Sequence, residues 1–205
     1  KTAEKIKSYV KRGGIFVSGF YTGLVNENDL VYEGWAPHDL NEVFGVWAEE
    51  VDCLRDGDRN ALRYRGKSYW ASFYCEIPNR CEAKVLASYE KDFYRGKPAV
   101  TERNFGEGKA YYIACRAEME FLQDFYRDLI RENRIPRIIE EEYVPDVMVK
   151  ERGNGRFLFL MNFSREQRQI GDRLLDGYEV RMEDTGEKPD RKGEAEGGQI
   201  HGQIE

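Results

Sequence analysis

The chain has 205 residues, of which 40% are hydrophobic, 34% charged and 13% aromatic, and its formal net charge is −6. This composition supplies enough apolar material for a folded core and excludes a disordered chain. The negative charge argues against nucleic-acid and anionic-membrane partners, because both bind clustered Lys and Arg. No apolar run reaches the roughly 18 residues needed to span a bilayer.

The cysteine and histidine content argues against a disulfide framework and a metal centre. The four cysteines are Cys53, Cys75, Cys81 and Cys115. They form no C-x-x-C pair, and only His38 and His201 could join them at a metal site. We therefore expect reduced, mostly buried thiols in a cytoplasmic protein without metal or cofactor. The opening KTAEKIKSYVKRGG has neither an initiator Met nor a signal-peptide pattern, which suggests a piece of a longer protein.

The first segments are typical of half a βαβ unit. Residues 2–12 predict a helix that ends at Gly13 and Gly14. Residues 15–20 (IFVSGF) follow as an apolar run, typical of a strand buried on both faces of a parallel sheet. The strand that should precede the helix is expected to lie before residue 1.

Further elements alternate along the next hundred residues. Residues 38–47 predict a helix with Asp39 as its N-cap, and strands are predicted over 49–54 and 82–89. Alternation from 60 to 75, broken at Arg65-Gly66, predicts a hairpin or two edge strands. Two last features complete this part: a hairpin over 98–115 with a Gly-Glu-Gly turn, and an amphipathic helix over 119–132.

After Pro136 the pattern changes to short strands, over residues 138–150, 156–163 and 170–182. We therefore predict an α/β domain over residues 1–137 and a small all-β domain with a polar tail over residues 138–205.

Glycoside hydrolysis needs two carboxylates flanking the scissile bond. The acidic runs Glu49-Glu50 and Glu140-Glu141-Glu142 are better explained as solvated surface, because neighbouring side chains point in different directions. No catalytic carboxylate pair is predicted.

Other kinds of chemistry are equally poorly supported. Cys115 ends a predicted strand before a helix, but its neighbours are not the small residues of a nucleophile elbow, which favours a buried thiol. His38 is explained as a capping or loop residue. The segment Gly106-Glu107-Gly108 lacks the spacing of a phosphate-binding loop and is better explained as a β-turn. Among the aromatic residues, Trp35 and Trp47 could lie either in the core or at a subunit interface.

Several ordered motifs together resemble one family. They are VNENDL (25–30), Gly34-Trp35, Pro37, Leu40, VFGV (43–46), Glu49-Glu50, PAVT (98–101), NFGEGKAYY (104–112) and GRFLFLMNF (155–163). With the upstream segment AEKIKSYVKRGGIFVSGFYTG, this series is similar to the trimerisation domain and small C-terminal domain of glycoside hydrolase family 42 β-galactosidases. About 160 residues carry the resemblance.

The resemblance implies a fold and a role. The family is expected to have a catalytic (β/α)8 barrel first, then a flavodoxin-like or class I glutamine amidotransferase-like three-layer α/β domain, then the small β domain. Its two catalytic glutamates belong to the barrel of a retaining β-galactosidase, so no position of this chain receives a catalytic role. The implied role is assembly of a homotrimer by a head-to-tail contact, while the galactoside substrate binds to the barrel.

Three hypotheses follow. The first is a non-catalytic assembly part of a β-galactosidase, with Trp35, Phe44 and Trp47 in the core or the interface. The second is a carbohydrate-binding module that uses Tyr178 or Phe163 of the small β domain. The third is an amidotransferase-like thiol enzyme, which predicts one cysteine that reacts rapidly at neutral pH.

Overall fold

The computed structural model describes residues 2–34, 36–141 and 143–186. They form two compact units, and the division lies between Arg131 and Glu132. The sequence-based boundary after residue 137 therefore lies inside the second unit. Among the residues described, no helix is long and apolar enough to cross a membrane.

The first unit is built mainly from strands. Its helices are α1 (Thr2–Lys11), a 3-10 turn (His38–Leu40), α2 (Asn41–Phe44) and α3 (Met119–Glu132), the last of which ends one residue past the division. Its strands are β1 (Ile15–Gly19), β2 (Val46–Cys53), β3 (Asn60–Tyr64), β4 (Lys67–Cys81), β5 (Lys84–Tyr89), β6 (Pro98–Phe105), β7 (Gly108–Ile113) and β8 (Cys115–Ala117).

These eight strands form one mixed sheet in the order β1-β7-β6-β5-β3-β4-β2, with β8 paired to β4. Only the β1–β7 pair is parallel among the pairings in this sheet, and the others are antiparallel. Strands make up 45% of the described structure and helices 17%. The predicted flavodoxin-like or amidotransferase-like three-layer α/β fold is therefore wrong.

The physical reason lies in the connections between strands. Two of them are two-residue turns, Arg65-Gly66 between β3 and β4 and Gly106-Glu107 between β6 and β7. Such turns can only join antiparallel strands, whereas a three-layer α/β domain needs a long helical crossover between parallel strands. The apolar run of β1 does indicate a parallel strand. The other strand pairs of this sheet are antiparallel, so the pattern of β1 does not describe the sheet as a whole.

The predicted helix over residues 38–47 is also shorter than expected. Only Asn41–Phe44 is α-helical, and Gly45 ends it in the left-handed conformation with φ +66°. Gly45 is suited to this role because it lacks a Cβ atom. Trp47 consequently belongs to β2 and not to the helix.

The sheet is covered on both faces, as neighbouring residues of β7 show. Tyr111 contacts the ring of Phe125 in α3, with ring centroids 5.8 Å apart. Tyr112 contacts Phe44 of α2 at 5.1 Å. Since successive side chains of a strand point to opposite faces, α2 and α3 lie on opposite sides of the sheet. The α2 side also contains Val10 of α1.

The second unit contains short strands and a small core. The strands are β9 (Val147–Arg152), β10 (Phe157–Asn162), β11 (Arg168–Ile170), β12 (Arg173–Leu175) and β13 (Val180–Asp184). They form a three-stranded sheet in the order β13-β10-β9 and a β11–β12 pair. The buried core residues are Leu158, Leu160, Ile170 and Leu175.

Candidate functional site

A buried carboxyl group from β4 holds the chain at the carboxyl end of β1. Glu76 of β4 is only 1% exposed. One carboxylate oxygen accepts a hydrogen bond from the Tyr112 hydroxyl at 2.5 Å, and the other accepts one from the Tyr21 backbone N–H at 2.8 Å. Burial raises the pKa of Glu76, and the two hydrogen bonds partly offset that effect. The carboxyl group therefore fixes the start of the loop that follows β1.

That loop begins with a tight turn flanked by two glycines. The sequence Gly19-Phe20-Tyr21-Thr22-Gly23 has the glycine spacing of a G-x-S-x-G elbow, and Tyr21 at its centre has φ +63°. The central position holds a tyrosine and not a serine or cysteine, so a motif based on those nucleophiles does not identify this turn. Burial raises the pKa of the Tyr21 hydroxyl, so the phenol is not activated as a nucleophile. The turn therefore shares the glycine spacing of a nucleophile elbow, but the side chain at its centre is not an activated nucleophile.

Two of the four cysteines are unsuited to a thiol site. Cys75 and Cys115 are both buried, whereas Cys53 is exposed. Burial raises the pKa of Cys75 to about 11 and also raises the pKa of Cys115. Since the thiolate is the reactive form, neither side chain is a nucleophile at neutral pH. This finding opposes the hypothesis of a thiol enzyme.

The described residues of the acidic runs lie at or near the protein surface, as the sequence predicts. Glu49 and Glu50 are exposed on β2, and Glu140 is exposed in the second unit. Glu141 forms an ion pair with Arg173 at 2.9 Å, and Glu142 lies outside the described residues. In the described ranges, no cluster of His, Cys, Asp and Glu suited to a metal ion is found.

The three predicted core or interface residues have different positions. Phe44, the last residue of α2, is fully buried in the core that also contains Val10 of α1. Trp47 is half-buried on β2, and the guanidinium of Arg80 lies 4.2 Å from its ring centroid. Trp35 lies outside the described residues.

Two other candidates are structural. His38 stacks on Tyr32 with ring centroids 4.2 Å apart and hydrogen-bonds Asp39 at 3.1 Å. Gly108 lies so close to the end of α1 that an added Cβ atom would stand 2.2 Å from the Val10 carbonyl oxygen. Glycine at this position therefore allows the hairpin to pack against the helix, and it does not serve a phosphate.

A cavity of about 320 Å³ lies beside the loop between β2 and β3. Its walls include Arg55, Arg59 and the half-exposed rings of Trp70 and Phe73. Lys91 lies 4.6 Å from the Trp70 ring centroid, and Arg116 lies 4.5 Å from that of Phe73. One face of each ring is already covered by a cation, and the carboxylates Asp56, Asp58 and Glu118 also line the cavity, so its surface is mixed charged and aromatic.

Comparison with known proteins identifies the family. The β-galactosidase trimerisation domain family matches residues 1–136. The chain belongs to this family. The β-galactosidase Pbg of Clostridium perfringens is 40% identical over 203 residues, which covers 94% of this chain and 29% of Pbg. The β-galactosidase BglY of Alicyclobacillus acidocaldarius is 40% identical over 178 residues, which covers 82% of this chain and 26% of BglY.

Solved structures give the same result for this trimerisation-domain chain. The β-galactosidase of Rahnella sp. R3 superposes with a TM-score of 0.78 at 33% identity, covering 88% of this chain and 30% of the Rahnella chain. The β-galactosidase of Bacillus circulans superposes with a TM-score of 0.75 at 33% identity, covering 88% and 30% respectively. The chain thus spans less than a third of the length of these relatives.

Proposed function

We propose that this chain is the non-catalytic assembly part of a β-galactosidase that hydrolyses terminal β-D-galactosides, and that it joins three copies of that enzyme in the cytoplasm. The observation that carries the proposal is the match of residues 1–136 to the trimerisation domain family. The state of the reactive groups supports it, because the Glu76 carboxyl and the Cys75 and Cys115 thiols are buried and their pKa values are raised.

In this proposal the galactoside is bound by a part of the enzyme outside this chain. Residues 1–137 supply the contacts between copies, with Trp47 and Trp35 as interface candidates, and residues 138–205 form the small β domain. The four cysteines are free, which supports a reducing compartment such as the cytoplasm.

Assembly is tested by light scattering on the 205-residue chain over a wide concentration range. We expect a molar mass of three chains that persists on dilution. A monomer at every concentration would contradict the proposal that these residues suffice for assembly. In parallel, the chain should not hydrolyse a chromogenic β-galactoside, and turnover that survives purification would contradict the non-catalytic assignment.

Sugar binding by the second unit is a second candidate function, favoured by two exposed aromatic side chains. Phe163 and Tyr178 are 59% and 62% exposed. They lie on adjacent segments, because the Tyr178 N–H donates to the Ser164 carbonyl at 2.9 Å. Exposed aromatic rings at neighbouring positions can stack against sugar rings. Calorimetric titration with galactose and galactan tests this, and equal binding by Tyr178→Ala and by the parent chain would contradict it.

A further inference from the structure

The loop that follows β1 combines acidic and exposed apolar side chains. Residues 24–34 contain Glu27, Asp29 and Glu33 and no basic residue. Val25 is 41% exposed, Leu30 62% and Val31 65%. We call residues 24–33 the acidic loop. Val25 and Val31 are neighbours across an antiparallel β-bridge.

The acidic loop is held in one conformation by its own hydrogen bonds. The Asn26 N–H donates to the Leu30 carbonyl at 2.9 Å, and the Tyr32 N–H donates to the Leu24 carbonyl at 3.0 Å. The Asn26 side-chain oxygen accepts from the N–H groups of Asn28 and Leu30 at 2.9 and 3.1 Å. A preformed loop loses little conformational entropy on binding, so its exposed apolar side chains can contribute fully to a contact.

A second surface of the same unit has the opposite charge. Lys5, Tyr9 and Arg12 lie four and three residues apart, so they share one side of α1 and the turn that extends it. Lys5 and Arg12 are exposed, and Tyr9 is 50% exposed. Ile6 and Val10 face the core instead. We call Lys5, Tyr9 and Arg12 the basic stripe.

We propose that the acidic loop of one copy packs against the basic stripe of a second copy of this chain. The inference rests on the proposed assembly function and names the surfaces that perform it. Acidic and aliphatic groups on the loop match basic and aromatic groups on the stripe, and charge complementarity of this kind selects partners and sets their orientation. Because this chain carries both complementary surfaces, a second copy of it is the partner that we assign to the acidic loop.

The two surfaces adjoin opposite ends of β1, because the acidic loop follows its carboxyl end and Arg12 precedes its amino end. In the proposed assembly of three copies, each copy would offer its acidic loop to one neighbour and its basic stripe to the other, and such head-to-tail contacts generate a ring when the rotation between copies closes. Stable interfaces bury about 800 Å² per partner, so the three aliphatic side chains form the centre of a contact to which flanking residues contribute.

The central contact is tested by Leu30→Asp, with Leu174→Asp as the matched control. Leu174 is also a half-exposed leucine, at 51%, but it lies in the second unit. By light scattering, we expect Leu30→Asp to be monomeric at concentrations where the parent chain and Leu174→Asp are trimeric. Circular dichroism and the melting midpoint verify folding, and Leu30→Ala provides a milder variant that should weaken assembly less.

The outcomes separate the two proposals. A monomeric parent chain would overturn both the assembly function and this inference. A trimeric parent chain with a trimeric Leu30→Asp would overturn the inference alone. Equal loss of assembly in Leu30→Asp and Leu174→Asp would also overturn it, because the effect would not be specific to the acidic loop.

A charge exchange tests the identity of the second surface. Glu27→Lys and Arg12→Glu should each weaken assembly by about 10-fold, because like charges would then meet across the contact. The two substitutions in one chain should restore assembly to within about 3-fold of the parent, since opposite charges would again face each other. A double variant that assembles no better than either single variant would overturn the assignment of α1 as the partner surface.

Discussion

The two units of this chain are stabilised in different ways. In the first unit, buried aromatic residues from the sheet and α3 pack together, including Phe121 and Phe125, whose ring centroids are 5.8 Å apart. The second unit has a small aliphatic core and relies more on hydrogen bonds and ion pairs. A unit with little apolar surface to bury depends more on its polar contacts. Substitutions in the two units should therefore have different consequences.

The largest effect is expected in the aromatic core of the first unit. Phe125→Ala should reduce the free energy of unfolding by about 3–5 kcal/mol, because it removes a buried ring and leaves a cavity. All three tryptophans lie in residues 1–131, so urea unfolding followed by tryptophan fluorescence reports on this unit. The control is Tyr126→Ala, which removes a 43% exposed neighbouring ring. An equal loss in both variants would show that burial in this core is not the source of stability.

A smaller effect is expected at the polar centre of the second unit. Asn162 is 3% exposed, and its side-chain N–H₂ donates to the carbonyls of Glu166 and Asp176, both at 2.8 Å. Its side-chain oxygen accepts from the N–H and hydroxyl groups of Ser164. Asn162→Ala should cost about 1–3 kcal/mol, because these groups would be left without partners.

Hydrogen exchange of the β10 amides measures this loss in the second unit, and tryptophan fluorescence should show no change in the first. Gln169→Ala is the control, since that side chain is exposed and contacts only a local carbonyl, that of Gly171 at 3.1 Å. Slower or unchanged exchange in Asn162→Ala would contradict the view that the second unit depends on its polar contacts.

The stability of the first unit should depend on pH, because its Glu76 carboxyl is buried. Burial raises the pKa of Glu76 above its ordinary value of 4.5. The stability that this group contributes is therefore fully present below about pH 4.5 and is lost as the pH rises through the raised pKa. Glu76→Gln should remove this loss, because the uncharged amide can accept from the Tyr21 N–H with its oxygen and donate from its N–H₂ to the Tyr112 hydroxyl oxygen.

Unfolding of the two proteins between pH 4.5 and 8 measures the effect. The stability of the parent chain should fall relative to that of Glu76→Gln as the pH increases. The control is Glu50→Gln, which changes an exposed acid of β2 outside the acidic loop. Parallel stability curves for the parent and Glu76→Gln would contradict the assignment of a raised pKa.

Local features of the fold could be predicted from the sequence, whereas its overall class could not. The sequence predicts a hairpin or two edge strands around Arg65-Gly66 and a hairpin around Gly106-Glu107, and both segments are hairpin turns in the structure, because glycine spacing and strand alternation are properties of neighbouring residues. The apolar run of β1 was interpreted as one strand of a parallel sheet. Strand pairing depends on residues far apart in the chain, such as Lys109 opposite Ile15, and no local pattern specifies it.

The sequence was sufficient to recognise the family, but not to predict the geometry of the candidate site. The motif VNENDL resembles part of a family pattern, but the exposure of its Leu30 and its β-bridge could not be predicted from the sequence. Glu76 was overlooked altogether, because a single glutamate in an alternating strand resembles any solvent-facing acid. Its burial follows from contacts with Tyr112 and Tyr21, which are 36 and 55 residues away.

The smallest effect is expected from the ion pairs on the surface of the second unit. Arg173 contacts Glu183 at 3.0 Å and Glu141 at 2.9 Å and is 27% exposed, whereas Arg156 pairs with Asp184 at 3.1 Å and is 48% exposed. Arg173→Ala should lower the stability of the second unit by less than about 1 kcal/mol. Arg156→Ala should have no measurable effect on β10 hydrogen exchange, because solvent and salt screen an exposed pair. A larger loss in Arg156→Ala than in Arg173→Ala would show that exposure does not decide which ion pairs stabilise this unit.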